Sequence, residues 1–132
     1  MEIKGTVITG YGKGAYFLGQ EFYKSKFNQK CGFEPFPGTL NVTVEEKYLK
    51  NIREMKSICT NIIKPKEGFG GVKYIKAILT DISNEKYVTG AIVFPDKTTH
   101  DENYLEFIAK ENLRNKFTLK DGDDVKLKIN IE

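Results

Sequence analysis

The stretch PGTLNVTVEE, residues 37–46, decides the fold. After a proline-glycine turn, Leu40, Val42 and Val44 alternate with Asn41, Thr43 and Glu45. Strict period-two alternation sends the aliphatic side chains to one face and the polar ones to the other, the pattern of a half-buried β-strand. Working outward, the spacing predicts further extended segments over 2–9, where Ile3, Gly5, Val7 and Thr9 share a face, and over 57–63, 71–79, 87–94 and 124–131. These are rich in β-branched residues and bounded by Gly, Asp, Asn or Pro, which gives six strands.

Helices are fewer. Residues 101–117, DENYLEFIAKENLRNKF, carry Tyr104, Leu105 and Ile108 at helical spacing, acidic residues in the first turn, and Asp101 or Thr99 as N-cap. A shorter helix is expected within 19–27, where Phe22, Tyr23 and Phe27 form an apolar stripe. The Asp-Gly chemistry of 119–124, LKDGDD, reads as a turn. Short strands without a regular alternation of strand and long helix argue against a doubly wound parallel sheet and for a compact barrel with inserted helices. The 132 residues are read as one domain, 1–132.

Composition narrows the function classes. Hydrophobic residues make up 39% and charged residues 30%, and no uninterrupted apolar run is long enough to span a bilayer. The N-terminus MEIKGTVIT has neither a basic region nor an apolar core of a secretory signal, so a cytoplasmic protein is expected, with monomer as the default state. The 21 basic and 18 acidic side chains are interspersed, and the net charge of +3 suits an anionic small ligand rather than nucleic acid. Cys31 and Cys59 lack the spacing of a zinc site or a disulfide framework and are read as reduced core residues.

GYGKGAYF, residues 10–17, places glycine at every second position at its start. A Walker loop fails, because Tyr11 and Gly12 stand where Lys and Ser or Thr are needed. The dinucleotide fingerprint is matched formally by Gly10, Gly12 and Ala15, but Gly19 and the FEPFPG turn interrupt the crossover helix that motif must open. Two readings stay open: a surface hairpin turn, or a glycine loop whose backbone N–H groups approach an anion. Thr39 and Asn41 likewise either cap a tight turn or, two residues apart on a strand, aim their oxygens at one hard cation that takes its other ligands from phosphate and water. His100, the single histidine, is read as a capping or packing residue, Glu106 as a helical glutamate, and Arg114 either as a phosphate or base contact or as half of a surface ion pair.

Taken in order, GYGKGAYF, FEPFPGTLN, GAIVFPDKTTH, LEFIA, LR and FTLKDGD resemble the archaeal CTP-dependent riboflavin kinases over almost the whole chain. The resemblance implies a mainly β fold, a six-stranded cradle-loop barrel with one or two inserted helices. It also implies transfer of the γ-phosphate of CTP to riboflavin, giving FMN and CDP. Carried over by motif, Tyr11, Gly12, Lys13, Gly14, Ala15 and Tyr16 resemble the segment that wraps the nucleotide, and Thr39 and Asn41 the ligands of Mg²⁺. Thr98 and Glu106 match flavin-side positions, and Glu111, Asn112, Leu113 and Arg114 a second nucleotide-binding stretch. Phosphoryl transfer depends on alignment and charge neutralisation, which gives Glu106 the expected role of orienting the ribityl chain and accepting its hydroxyl proton. Ala15 and Lys110 depart from the family pattern, where a larger, often basic residue and a proline are usual. The competing expectation is a non-catalytic barrel that binds nucleic acid or a protein partner, against which the mixed Lys and Glu pattern counts.

Overall fold

The alternation at 40–44 forms the strand it predicts, and its neighbours close a barrel around it. The computed structural model describes residues 1–10, 17–96 and 101–129. Its strands, in chain order, are β1 (Glu2–Ile8), β2 (Leu40–Val44), β3 (Ile62–Ile63), β4 (Val72–Asp81), β5 (Tyr87–Pro95), β6 (Tyr104–Ile108) and β7 (Asp124–Ile129). The helices are α1 (Glu21–Cys31), α2 (Leu49–Ile58), entered through a 3-10 turn at Glu46–Tyr48, and α3 (Leu113–Phe117).

All strand pairings are antiparallel. The order β4-β5-β6-β2-β1-β7, with β7 pairing back onto β4, makes a closed six-stranded barrel. Closure leaves no unpaired sheet edge within the ring. β4 is ten residues long and serves three partners: β5 along one edge, and on the other edge β3 at Val72 and Lys73, outside the ring, and β7 from Ala77 to Asp81.

Register brings the inward side chains together. Val7 faces Val42, Ile3 faces Leu127, Leu79 faces Leu127, and Phe107 faces both Leu40 and Ile92. All belong to one buried cluster, which Ile52 and Met55 of α2 join. Phe107 is fully buried there, and truncating such a side chain costs about 3–5 kcal/mol.

A second cluster lies between α1 and the outer face of the barrel, made by Leu18, Tyr23, Phe27, Tyr74, Ala91 and Val93 among others. It explains why β5 alternates at Tyr87–Thr89 and is then buried at four successive residues: Ile92 faces the barrel core, while Ala91 and Val93 meet the helix side. Of the predicted stripe, Tyr23 and Phe27 are buried and Phe22 stacks on Phe69 at 4.5 Å. The Tyr23 hydroxyl donates to the Gly70 carbonyl at 2.9 Å, and burial pushes its pKa up. β5 and β6 approach so closely at Gly90 that a Cβ there would collide with the Ile108 carbonyl and the Phe107 ring.

Three expectations need correction. Residues 101–117 are not one helix: Tyr104–Ile108 is strand β6, and only Leu113–Phe117 is helical. Tyr104, Leu105 and Ile108 do fit helical spacing, but Leu105 and Phe107 also alternate with Tyr104 and Glu106, and β2 and β5 on either side satisfy the extended backbone. Glu106 therefore sits on a barrel strand. The segment 57–63 is extended only at Ile62–Ile63, since Ser57 and Ile58 end α2, a helix the sequence reading did not anticipate. Cys31 and Cys59 are free thiols, but half-buried rather than in the core, and burial pushes the Cys31 thiol up. The cap position Thr99 and the lone His100 lie outside the described residues.

Candidate active site

The site starts from the strand that decides the fold. In β2 the odd-numbered polar residues leave the face opposite Leu40 and Val42 and are half-buried. β6 lies alongside in a register that pairs Asn41 directly with Glu106. Directly opposed residues have Cβ atoms about 4.5–5.5 Å apart, so their side chains share one patch of surface. Thr39, one step before β2, completes the group: its hydroxyl donates to Glu106 Oε1 at 3.3 Å, and Asn41 Nδ2 donates to the Thr39 carbonyl at 3.4 Å. Gly10 packs against the Asn41 side chain so tightly that a Cβ would overlap the amide. That contact places Gly10 beside the cluster.

Thr39 and Asn41 offer a hydroxyl and an amide carbonyl, with the Glu106 carboxylate beside them. These are hard oxygen ligands of low total charge, and they fit Mg²⁺, which keeps water and binds phosphate oxygens alongside few protein ligands. Among the described residues there is no grouping of three or more His, Cys, Asp or Glu side chains of the kind a dedicated protein metal cage needs.

Thr39 also lines a neighbouring cleft of about 180 Å³, walled by Phe36, Glu111, Asn112, Leu113 and Arg114 among others. The stretch 111–114 thus adjoins the Thr39–Asn41–Glu106 cluster as a second wall of the same region. Each of its members also has a local structural partner. Asn112 caps α3, its side-chain oxygen accepting from Asn115 N at 3.2 Å, and Leu113 is buried. Glu111 pairs with Lys116 at 3.1 Å. Arg114 Nη2 donates to the Ile8 carbonyl at 3.0 Å and to Asp121 Oδ1 at 2.6 Å. Asp121 also accepts the Thr9 hydroxyl, which together with Arg114 holds its carboxyl below the ordinary aspartate range.

The structure therefore brings together Thr39, Asn41, Glu106 and Glu111 to Arg114. The glycine-loop positions Tyr11, Gly12, Lys13, Gly14, Ala15 and Tyr16, and Thr98, lie outside the described residues. Sequence reasoning missed Phe36 as a wall of the cleft and the Thr9–Asp121–Arg114 cluster. The signal for the latter was present in KDGD, residues 120–123, but turn chemistry explained those residues fully.

Fold and site define a small closed antiparallel β-barrel bearing a carboxylate and neutral oxygen donors beside a cleft. The chain belongs to the CTP-dependent riboflavin kinase domain family, whose model, described as domain of unknown function DUF120, matches residues 7–129. It is 62% identical over 129 residues to the riboflavin kinase of Methanobrevibacter smithii, covering 98% of this chain and 100% of that protein. It is 44% identical to the riboflavin kinase of Methanothermobacter thermautotrophicus, covering 92% of this chain and 93% of the relative. With the riboflavin kinase of Saccharolobus solfataricus it shares 36% identity over 98% of this chain and 74% of the relative. No helix among the described residues is long and apolar enough to cross a membrane.

Proposed function

We propose that this chain phosphorylates the 5′-hydroxyl of riboflavin with the γ-phosphate of CTP, releasing FMN and CDP. The observation that carries the reading is the register of β2 on β6, which sets the Glu106 carboxylate opposite Asn41 and within reach of the Thr39 hydroxyl, beside the cleft.

In this reading the cleft takes the nucleoside end of CTP, with Arg114 and the backbone around Asn112 and Leu113 at its wall. Donors and acceptors on a base edge distinguish cytosine from adenine because a mismatch leaves buried polar groups unpaired, at about 1–3 kcal/mol for each. Thr39 Oγ1 and Asn41 Oδ1 would hold Mg²⁺, which when bound neutralises charge on the phosphate oxygens. Glu106 orients the ribityl chain so that its terminal oxygen lies in line with the bond to be broken. The ribityl oxygen forms a bond to the γ-phosphorus as the bond from that phosphorus to the bridging oxygen breaks. CDP leaves with the electron pair, and the hydroxyl proton passes to the Glu106 carboxylate. Holding the reactants in this geometry accounts for most of the acceleration, since the transition state needs little covalent help from protein.

The test is FMN formation from riboflavin and Mg²⁺ with CTP and ATP offered in separate reactions. FMN from CTP and little from ATP is the expected result. No FMN from either nucleotide, under conditions where riboflavin still binds, overturns the kinase reading and leaves a flavin-binding barrel.

A further inference from the structure

Asp121 does not line the cleft, yet it is the hub of the contacts behind Arg114. The Arg114 guanidinium reaches out of α3 to two acceptors on other parts of the chain, the Ile8 carbonyl at the end of β1 and Asp121 Oδ1. Asp121 Oδ2 accepts the Thr9 hydroxyl, so one carboxylate spans the end of β1 and the helix-borne arginine. The turn that carries Asp121 is itself fixed to β1 by backbone bonds: Gly122 N donates to Val7 O at 2.8 Å, and Val7 N to Asp123 O at 2.8 Å. Lys120 N is bonded to the Asp123 carboxylate at 2.8 Å, and Leu119 N to the Arg114 carbonyl at 2.9 Å. An arginine has a long side chain with many rotamers, and a carboxylate held by an ordered turn removes most of that freedom before a ligand arrives.

We infer that Asp121 is a positioning residue for the nucleotide: by holding the Arg114 guanidinium against the end of β1, it presents Arg114 to the cleft in one orientation. The inference rests on the reading of the cleft as the nucleotide site. It assigns to the KDGD turn a part in substrate affinity, where turn formation alone would leave affinity untouched. Asp121→Asn keeps the shape and an acceptor for Thr9 but removes the charge that orients the guanidinium, whereas Asp121→Ala removes both.

The experiment is calorimetric titration of CTP into the full chain without riboflavin, together with KM for each substrate, for Asp121→Asn, Asp121→Ala, Arg114→Ala and the Arg114→Ala, Asp121→Ala pair. Each Asp121 variant is expected to weaken CTP binding about five- to tenfold, as loss of a partly exposed charge-assisted contact does, with the riboflavin KM within about twofold. In the Arg114→Ala background the Asp121→Ala change is expected to add less than about twofold, because the two residues act as a unit. Asp121→Ala that lowers the unfolding midpoint but leaves CTP affinity intact overturns the inference, as does an equal loss in both backgrounds. Unchanged CTP affinity in Arg114→Ala while FMN still forms instead removes the nucleotide reading of the cleft, and the inference with it.

Discussion

Asn41 and Glu106 stand directly opposite one another across the β2–β6 ladder, with the Thr39 hydroxyl bonded to the glutamate at 3.3 Å. This pairing converts two distant pieces of sequence into one oxygen-rich patch, and most tests of the site begin there.

Glu106→Gln retains size and hydrogen-bonding capacity but cannot accept a proton at the reacting hydroxyl. The expected result in a steady-state FMN assay is a fall in kcat of about a hundredfold or more, the usual contribution of a positioned general base, with riboflavin KM changed far less. Near-normal turnover with only weaker riboflavin binding would remove the proton-accepting role and leave orientation.

Thr39→Val replaces the hydroxyl by a methyl group of similar volume. The barrel should fold, since Thr39 is half-buried and precedes the ladder residues of β2. The Mg²⁺ concentration for half-maximal rate should rise about tenfold, as expected for loss of one of few protein ligands. An unchanged magnesium titration would show that Thr39 serves only the Glu106 contact.

Gly90→Ala tests the closest approach of β5 to β6. A new Cβ would meet the Phe107 ring at 2.6 Å and the Ile108 carbonyl, and backbone cannot yield as a flexible side chain does. Overpacking a tight core costs about 1–3 kcal/mol even where side chains can move, so a loss of at least about 3 kcal/mol is expected in chemical denaturation. A midpoint within error of the parent would mean that the two strands separate without cost.

Asp81 organises the β4–β5 turn. Its carboxylate accepts from the backbone N–H of Lys86 at 3.2 Å and of Glu85 at 2.8 Å, and from the Ser83 hydroxyl at 3.1 Å. The Lys86 N–H contributes most to holding its pKa below the ordinary aspartate value, with Ser83 and Glu85 adding to it. A depressed folded-state pKa means that the unfolded chain binds the proton more readily. This stabilisation is therefore complete above about pH 4 and lost as pH falls through the lower folded-state value. Urea midpoints measured from pH 6 downward should fall more steeply for the parent than for Asp81→Asn, and parallel curves would show that the turn stands without the charge.

Much of the fold was legible because it is local. The alternation of Leu40, Val42 and Val44 names the buried face of β2, and Phe22, Tyr23 and Phe27 identify α1 before any packing is known. β6 was misread because Tyr104, Leu105 and Ile108 satisfy a helical period while Leu105 and Phe107 satisfy a strand period. Five residues are too few for one period to exclude the other. α2 carries its buried Ile52 and Met55 without a side-chain N-cap to announce its start. The motif resemblance named Glu106 as a site residue, but the placement it received from its own sequence neighbours was a helix.

The sequence by itself determined a mainly β chain, the faces of its clearest strands and the turn at 119–124. Tertiary structure alone decided that β7 returns to β4 to close the ring, that Glu106 faces Asn41, and that Asp121 meets both Thr9 and Arg114. The reason is the range of the forces involved. Periodicity and turn chemistry act over a few residues and can be read along the chain, whereas Thr39 and Glu106 are 67 positions apart and Thr9 and Asp121 are 112 apart. Such contacts form only when the barrel buries enough apolar surface to offset the entropy of closing those long loops, and the choice of partner belongs to the ladder register of the whole barrel.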